Sequence, residues 1–289
     1  MIAKALMKRL FISDKIRLPW SVLSVLALQA FLCQTQAASP YTLSHQNSTA
    51  TIDYQTGGGL TSWTIDGANQ AEKQWFYYRL GGSPGAVAPI DTISATPAFA
   101  TSFGTRGMAV TYSNTTLSVK DSYLLTGNTV GSGKSGLSET ITILNLSATP
   151  LTLDFFQFSH LPMADTSGNE SVSIQTGNSG SPHSAWQTNS FGATLNNIVT
   201  TLRDPIHAEA STDHLTLNAM MLPTFTHLND NLSANGDVSH AYEWSLSIPV
   251  GGSEQISLLM AVVPEPSAMA LMGLALAGLA WHRRRQSRI

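Results

Sequence analysis

Histidines and carboxylates are concentrated between residues 207 and 243, in the types and spacing that could bind a metal ion. His207 and Glu209 are two residues apart, which places them on one face of a strand, and Asp213-His214 follows. Zinc accepts two histidines together with a carboxylate. A second and weaker set consists of His227, Asp230, Asp237 and His240. Neither set has the spacing of a known metal motif, so the sequence predicts no metal and no cofactor.

Two glycine-rich stretches resemble functional motifs, and each lacks an essential feature. Residues 127–136 contain Gly-Lys-Ser, but Asn128 stands where a phosphate-binding loop needs glycine, and a β-type stretch follows instead of a helix. Residues 81–85 match Gly-x-Ser-x-Gly, but Pro84 has no backbone N–H to serve as an oxyanion donor. Both stretches are predicted to be turns.

Glycoside hydrolysis needs two carboxylates that face each other across a sugar. Four glutamates are available, namely Glu139, Glu170, Glu209 and Glu243. Sequence spacing does not determine whether any two of them converge in the fold. We therefore assign no catalytic residue, and a glycan-active enzyme remains an alternative without a site.

Aromatic residues could instead bind a sugar by stacking. The run from Trp75 to Tyr78 alternates between the two faces of a predicted strand. Core packing is the favoured interpretation, because aromatic side chains dominate core energetics. The alternative is a sugar platform made of Trp75, Tyr77 and Trp186.

Composition and charge limit the classes of partner. Of 289 residues only 11% are charged, and the chain between its two ends has six basic and sixteen acidic residues. An acidic body repels phosphate backbones, which argues against nucleic-acid binding. The single cysteine, Cys33, lies near the N-terminal apolar stretch, so the rest of the chain has no thiol for disulfides or catalysis.

The elements that would position these residues are short strands separated by turn residues. The predicted strands are 48–54, 60–65, 75–80, 108–113, 117–125, 137–146, 151–158, 172–176, 214–222, 242–248 and 256–262. Short helical turns are expected in 194–202 or 228–235. This pattern predicts an all-β fold, an antiparallel, jelly-roll-like β-sandwich in one ectodomain over residues 39–262.

The N-terminal segment has the features of a secretory signal peptide. A basic stretch is followed by fifteen mostly apolar residues over 18–32 and then by small residues. Residues 1–38 are therefore predicted to be a signal helix, cleaved after Ala37 or Ala38 and exported through the Sec translocon. The apolar stretch is short for a retained span, which needs about 20 residues.

The C-terminal segment 263–289 has three parts: the strip Val263-Pro264-Glu265-Pro266-Ser267, an apolar stretch over 268–281, and the basic residues Arg283, Arg284 and Arg285. Fourteen helical residues extend ~21 Å, less than the ~30 Å of a hydrocarbon core. The arginines indicate a cytoplasmic end. We predict a short transmembrane helix that anchors the chain transiently.

These three parts, in this order, resemble the PEP-CTERM sorting tail of Gram-negative bacteria. The resemblance implies recognition by an exosortase, cleavage near Pro264-Glu265-Pro266, and release or transfer to the cell surface. Such proteins commonly accompany exopolysaccharide and biofilm systems. The body resembles a functionally uncharacterised PEP-CTERM ectodomain type at residues 74–79 and 155–159, and this implies no activity.

We therefore predict an exported surface or extracellular-matrix protein without evident catalytic activity, associated with exopolysaccharide. The alternatives are a carbohydrate-binding module for that polysaccharide and a glycan-active enzyme.

Overall fold

The chain folds into two packed antiparallel sheets in the computed structural model, which describes residues 36–264 except 38, 83, 97, 166, 167, 191 and 202. The described residues belong to one compact unit that begins at Gln36. Of the signal helix predicted over 1–38, residues 1–35 and 38 lie outside the described residues, as do the predicted transmembrane helix and basic end. Residues 36 and 37 form a short strand instead of the end of a helix. Within the described ranges, no helix is long and apolar enough to cross a membrane.

One sheet has ten strands, numbered along the chain. In spatial order they are β1 (Gln36–Ala37), β8 (Ala100–Ser102), β9 (Gly107–Ser113), β10 (Leu117–Gly127), β11 (Ser135–Asn145), β19 (Ser253–Val263), β15 (Thr194–Val199), β14 (Pro182–Asn189), β13 (Glu170–Thr176) and β17 (Ser233–Gly236). The last strand of the chain, β19, therefore lies in the middle of this sheet, between β11 and β15.

The other sheet has nine strands. Its main order is β16 (His207–Thr212), β18 (Val238–Ile248), β12 (Leu151–His160), β6 (Lys73–Leu80), β4 (Gly59–Ile65), β3 (Ser48–Asp53) and β2 (Tyr41–His45). β5 (Ala68–Asn69) pairs with β4, and β7 (Ala88–Pro89) pairs with β6. The described helices are α1 (Leu215–Met220) and the 3₁₀ turns Ile90–Ile93 and Met163–Asp165.

The core lies between the two sheets and follows from side-chain alternation. On β11, every second residue is buried, so Leu137, Ile141 and Ile143 point inward while the intervening residues are partly exposed. Phe76 and Phe155 stack across neighbouring strands of the other sheet, with ring centroids 5.7 Å apart. The prediction of an all-β antiparallel sandwich is confirmed.

The nine-stranded sheet is buried on both faces at its centre. On β12 every residue except Thr152 is buried. The outer face, which points away from the ten-stranded sheet, is covered by residues 213–232, here called the covering segment. Phe225 of this segment packs on Phe156 with ring centroids 5.7 Å apart. The covering segment forms a second layer on this face, which explains why β12 has no solvent-exposed side.

Two local predictions were wrong. The stretch 214–222 was predicted to be a strand, but Leu215–Met220 forms α1, whose buried Thr216 and Met220 have the i, i+4 spacing of one helix face. Helical turns were expected in 194–202 or 228–235, but Thr194–Val199 forms β15, in which Leu195 and Val199 point into the core. Residues 228–235 contain no helix either, and 233–235 belong to β17. Such short runs carry too little periodicity to distinguish helix from strand.

Candidate functional site

Arg79 holds the covering segment against the outer face of the nine-stranded sheet. Its Nη2 lies 2.9 Å from Asp154 Oδ2, and both side chains are buried. The same guanidinium donates to the carbonyls of Gly85 (2.9 Å), Phe225 (3.0 Å) and Thr226 (2.6 Å). A guanidinium can serve several acceptors from one fixed fork. Arg79 therefore has a structural role.

Two glutamates on adjacent strands hold the same segment further along. The Leu228 amide donates to Glu243 Oε2 (3.0 Å), and the Asn229 amide donates to Glu209 Oε2 (3.0 Å). His227 Nδ1 lies 2.6 Å from Glu243 Oε1. Both glutamates are buried beneath the segment. They anchor a loop and do not face each other across an open cleft.

The histidines named from the sequence are divided among different partners. His207 and Glu209 do share one face of β16, but His207 Nδ1 pairs with Asp230 Oδ2 at 2.8 Å, whereas Glu209 binds Asn229. His240 points into the core, where its Nε2 lies 2.9 Å from Asn197 Nδ2. Burial lowers the pKa of His240 to about 3, so it stays neutral.

A different cluster forms at the end of the outer face where β12 ends. His160, His214 and Glu72 each place one ligand atom within 4.8 Å of the others, and His160 forms a similar group with Asp213 and Asp237. Among the described residues these are the side chains that could hold a metal ion. The sequence analysis named Asp213-His214 and Asp237 but missed Glu72 and His160, which are 88 residues apart and share no motif.

The space between the sheets also encloses charge. Asp121 on β10 and Glu139 on β11 are buried, and Gln74 Nε2 donates to Glu139 Oε2 at 3.0 Å. Burial raises the pKa of Asp121 to about 7. Burial, and then the charge of Asp121, raise the pKa of Glu139 well above its usual range. These carboxyl groups are enclosed, so a dissolved glycan does not reach them.

The structure separates the three proposed platform residues. Trp75 is 0% and Tyr77 is 2% exposed, so these two cannot stack on a sugar at the surface, and that part of the prediction is wrong. Trp75 Nε1 donates to Asp91 Oδ1 at 3.1 Å, and its ring packs edge-on against Tyr112 of β9, with centroids 6.3 Å apart. Trp186 on β14 is 51% exposed.

Trp186 lies on the outer face of the ten-stranded sheet among small polar side chains. It is paired across the strands with Ser173 and Asn196, and its Nε1 donates to Ser184 Oγ at 3.2 Å. Outward-facing neighbours on β13, β14 and β15 are Ser171, Ser173, Gln175, Thr188, Thr194, Asn196 and the partly exposed Ile198. This face therefore combines one exposed indole with hydroxyl and amide groups and has no charged side chain nearby on these strands.

The glycine-rich stretches are turns, as predicted. Residues 127–136 include the hairpin loop between β10 and β11, where Asp66 accepts from the amides of Gly131 (2.6 Å) and Gly133 (2.8 Å). Gly81 and Gly82 both have positive φ angles after β6.

A surface cleft of about 400 Å³ near Tyr54 and Tyr112 has one carboxylate in its lining, that of Asp91.

Of the predicted sorting residues, Val263 and Pro264 lie within the described part of the chain. Val263 is the last residue of β19 and is paired with Thr194, and Pro264 follows directly. Glu265, Pro266, Ser267 and Arg283–Arg285 lie outside it. At the other end, Ala37 is paired with Ala100 in β1, and Ala38 is outside the described residues.

The comparison with protein families identifies the C-terminal segment. Residues 262–285 match the model of the PEP-CTERM protein-sorting motif. The fold and this motif define the class: an exported β-sandwich protein with a C-terminal sorting signal. The chain therefore carries the sorting motif that the resemblance implied. No curated protein matches the chain in sequence.

Solved structures share the sandwich fold at low sequence identity. A bacterial glucoamylase complexed with acarbose superposes with a TM-score of 0.56 and 8% identity, covering 84% of this chain and 35% of that chain. A protein from Synechocystis sp. PCC 6803 gives 0.50 and 10% identity, covering 80% of this chain and 99% of that one. A galactose mutarotase-like protein from Lactobacillus casei gives 0.46 and 11%. The chain thus spans about a third of the glucoamylase, and the likeness establishes the fold alone.

Proposed function

We propose that this chain is an exported surface protein whose β-sandwich binds a neutral extracellular polysaccharide. The binding surface is the outer face of the ten-stranded sheet around Trp186. The observation that carries the proposal is one half-exposed indole surrounded by uncharged hydroxyl and amide side chains. An indole supplies a large, rigid and amphipathic contact surface, and its neighbours supply hydrogen bonds to sugar hydroxyls.

Charge favours a neutral polymer over an acidic one. The body has sixteen acidic and six basic residues, so an anionic polysaccharide would be repelled over the whole surface. The flat face of an extended sheet suits a long polymer chain better than a small sugar, which needs a concave site. An exopolysaccharide made by the producing cell fits these requirements.

The sorting motif supports the proposed route. The chain enters the Sec translocon through a signal peptide over residues 1–38, is held transiently by a helix within 268–281, and is cleaved by exosortase near Pro264-Glu265-Pro266. Signal cleavage after Ala37 or Ala38 would detach β1, which contributes only two residue pairs with β8. The remainder of the sheet does not depend on those pairs.

The test is binding of the mature protein to exopolysaccharide from the producing strain, measured by co-sedimentation over a range of polymer concentrations. Trp186→Ala should weaken binding roughly 30-fold, the effect of losing a central aromatic contact of ~2 kcal/mol. Leu124→Ala is the matched control, because Leu124 is exposed on the same face, four strands or about 19 Å away.

Equal binding by Trp186→Ala and the unchanged protein would contradict the proposed surface. The same samples should be assayed for release of shorter saccharides. Product formation that is lost in Glu209→Gln or Glu243→Gln, while Trp186→Ala has no effect on binding, would support the glycan-active alternative instead.

A further inference from the structure

We propose that Glu72, His160 and His214 form a binding site for a first-row divalent transition metal ion, with Zn²⁺ as the ion to test. The three residues come from the link between β5 and β6, the end of β12 and the start of the covering segment. Their ligand atoms lie within 4.8 Å of one another. Tetrahedral zinc with bonds of ~2 Å needs donor atoms about 3.3 Å apart, so a closing movement of roughly 1 Å is required.

His160 provides the main argument. Its Nε2 lies 2.8 Å from Asp237 Oδ1, and a carboxylate only accepts, so Nε2 carries the proton. In the neutral ring Nδ1 then keeps a lone pair. Within the described ranges Nδ1 has no hydrogen-bond partner, although His160 is only 2% exposed. Glu72 Oε2 lies 3.4 Å from it without hydrogen-bond geometry. A buried lone pair facing a carboxylate is repulsive unless a proton or a metal ion lies between them.

His214 has the same arrangement. Its Nδ1 lies 2.6 Å from Asp213 Oδ1, so this nitrogen carries the proton and Nε2 keeps a lone pair. Two histidines, each oriented by its own carboxylate, reproduce the carboxylate–histidine–metal arrangement in which outer partners fix the tautomer of the ligand.

The surroundings allow the site to close around an ion. Glu72 is anchored by its amide, which donates to the His160 carbonyl at 3.2 Å, while its side chain is more than half exposed and free to rotate. The Asp213 amide donates to the Asp237 carbonyl at 2.6 Å, which ties the two orienting carboxylates together. Phe158 lies beside His214, with ring centroids 5.6 Å apart, and provides an apolar wall.

The donor set determines the class of ion. Ca²⁺ and Mg²⁺ prefer oxygen ligands alone, whereas two imidazoles and one carboxylate suit Zn²⁺ and its neighbours. Three protein ligands leave a fourth coordination position for water or another small ligand. The ion would also join the covering segment to the sheet, so binding should stabilise the fold.

The test uses the full chain purified in detergent, treated with a chelator and titrated with Zn²⁺ in a calorimeter. We expect one ion per chain and, at a hundredfold excess over Kd, a rise in Tm of about 5–10 °C. Co²⁺ in place of Zn²⁺ should give the visible absorption of a low-symmetry site.

Glu72→Gln changes an exposed ligand without loss of volume, and His214→Ala removes a second ligand. Both should abolish the saturable step and the Tm shift, and Asp237→Asn should weaken binding about 10- to 100-fold. The matched control is His183→Ala, which removes an exposed histidine paired with Asp204 elsewhere. The proposal is overturned if the unchanged protein binds no stoichiometric ion, if both ligand variants bind normally, or if His183→Ala alone loses binding.

Discussion

Asp121 and Glu139 show how single residues couple this sandwich to pH. Both carboxyl groups lie between the sheets on neighbouring strands, and burial is the largest cause of their raised pKa values. A carboxyl group with a raised pKa in the folded state holds its proton after the unfolded chain has released it. The folded state then binds more protons, so the free energy of unfolding falls as pH rises. For Asp121 the window runs from the ordinary value of 3.8 to about 7.

The unchanged protein should therefore be more stable at pH 5 than at pH 8, by roughly 2–3 kcal/mol from Asp121. Asp121→Asn keeps the shape and removes the charge, so it should raise stability at pH 8 and reduce the difference between the two pH values. The double variant Asp121→Asn with Glu139→Gln should remove most of the remainder. Urea unfolding at both pH values measures this.

Glu254→Gln serves as the control, because it removes one acidic charge from a more exposed position on β19. It should change the pH dependence little. A single-variant Asp121→Asn protein that keeps the full pH dependence would show that the pair does not titrate in this window.

At the scale of elements, the covering segment determines the character of the nine-stranded sheet. It adds a third layer over β6, β12 and β18, and its attachment depends on polar contacts at several points. Arg79 is central among them, because it joins Asp154, Phe225 and Thr226. A guanidinium between two phenylalanine rings, 5.4 and 5.6 Å from their centroids, also gains cation–π attraction.

Arg79→Ala should lower the free energy of unfolding by about 3–5 kcal/mol, because it leaves Asp154 buried without its partner. Amides of residues 222–228 should also exchange hydrogen faster, as the segment loses its clamp. Arg203→Ala is the control: the Arg203–Glu254 pair is wider, at 3.6 Å, and more exposed, so its loss should cost under about 1 kcal/mol. Comparable losses in both variants would argue against the clamp.

The sequence predicted the positions of strands better than it predicted which residues lie close together in space. Strands with clear alternation, such as β10, β11 and β19, were found within a few residues, because period-2 burial is visible in one dimension. β14 and β15 were missed because their inward residues include Gln187 and Asn197, which do not look like core. The covering segment could not be foreseen, since nothing in the sequence around Arg79 and Phe156 shows that the outer face of their strands is also buried.

The candidate metal site could not be predicted either, because its residues are brought together only by tertiary contacts. His160 ends an apolar strand, and Glu72, His214 and Asp237 approach it only through sheet pairing and the return of the covering segment. Trp186 was proposed from residue type alone, and its exposure depends on the direction in which β14 faces.

At the scale of the whole molecule, the sorting motif and the folded sheet overlap in the C-terminal segment. The sorting motif begins at residue 262, so its first two residues are also the last two residues of β19. Exosortase must therefore act next to a folded sheet, with little free chain between the sandwich and the predicted membrane helix.

Replacement of Glu265 by Ala, or deletion of Arg283–Arg285, should either retain the protein in the inner membrane or cause its loss from the envelope. In both cases little protein should reach the surface. Fractionation of the producing cells and intact-mass measurement of the released protein test this. Arg203→Ala, which removes a basic residue from the body, should be sorted normally. Normal processing of both tail variants would contradict the sorting role of these residues.

The central position of β19 also has a mechanical consequence. A pull on the chain beyond Val263, whether from a membrane helix or from a surface attachment, enters a strand bonded to β11 on one side and β15 on the other. Tension directed along that strand loads both ladders at the same time instead of opening one pair after another. A domain tethered through such a strand would withstand shear from flowing liquid or a growing matrix, and its lifetime under load would be governed by its unfolding rate.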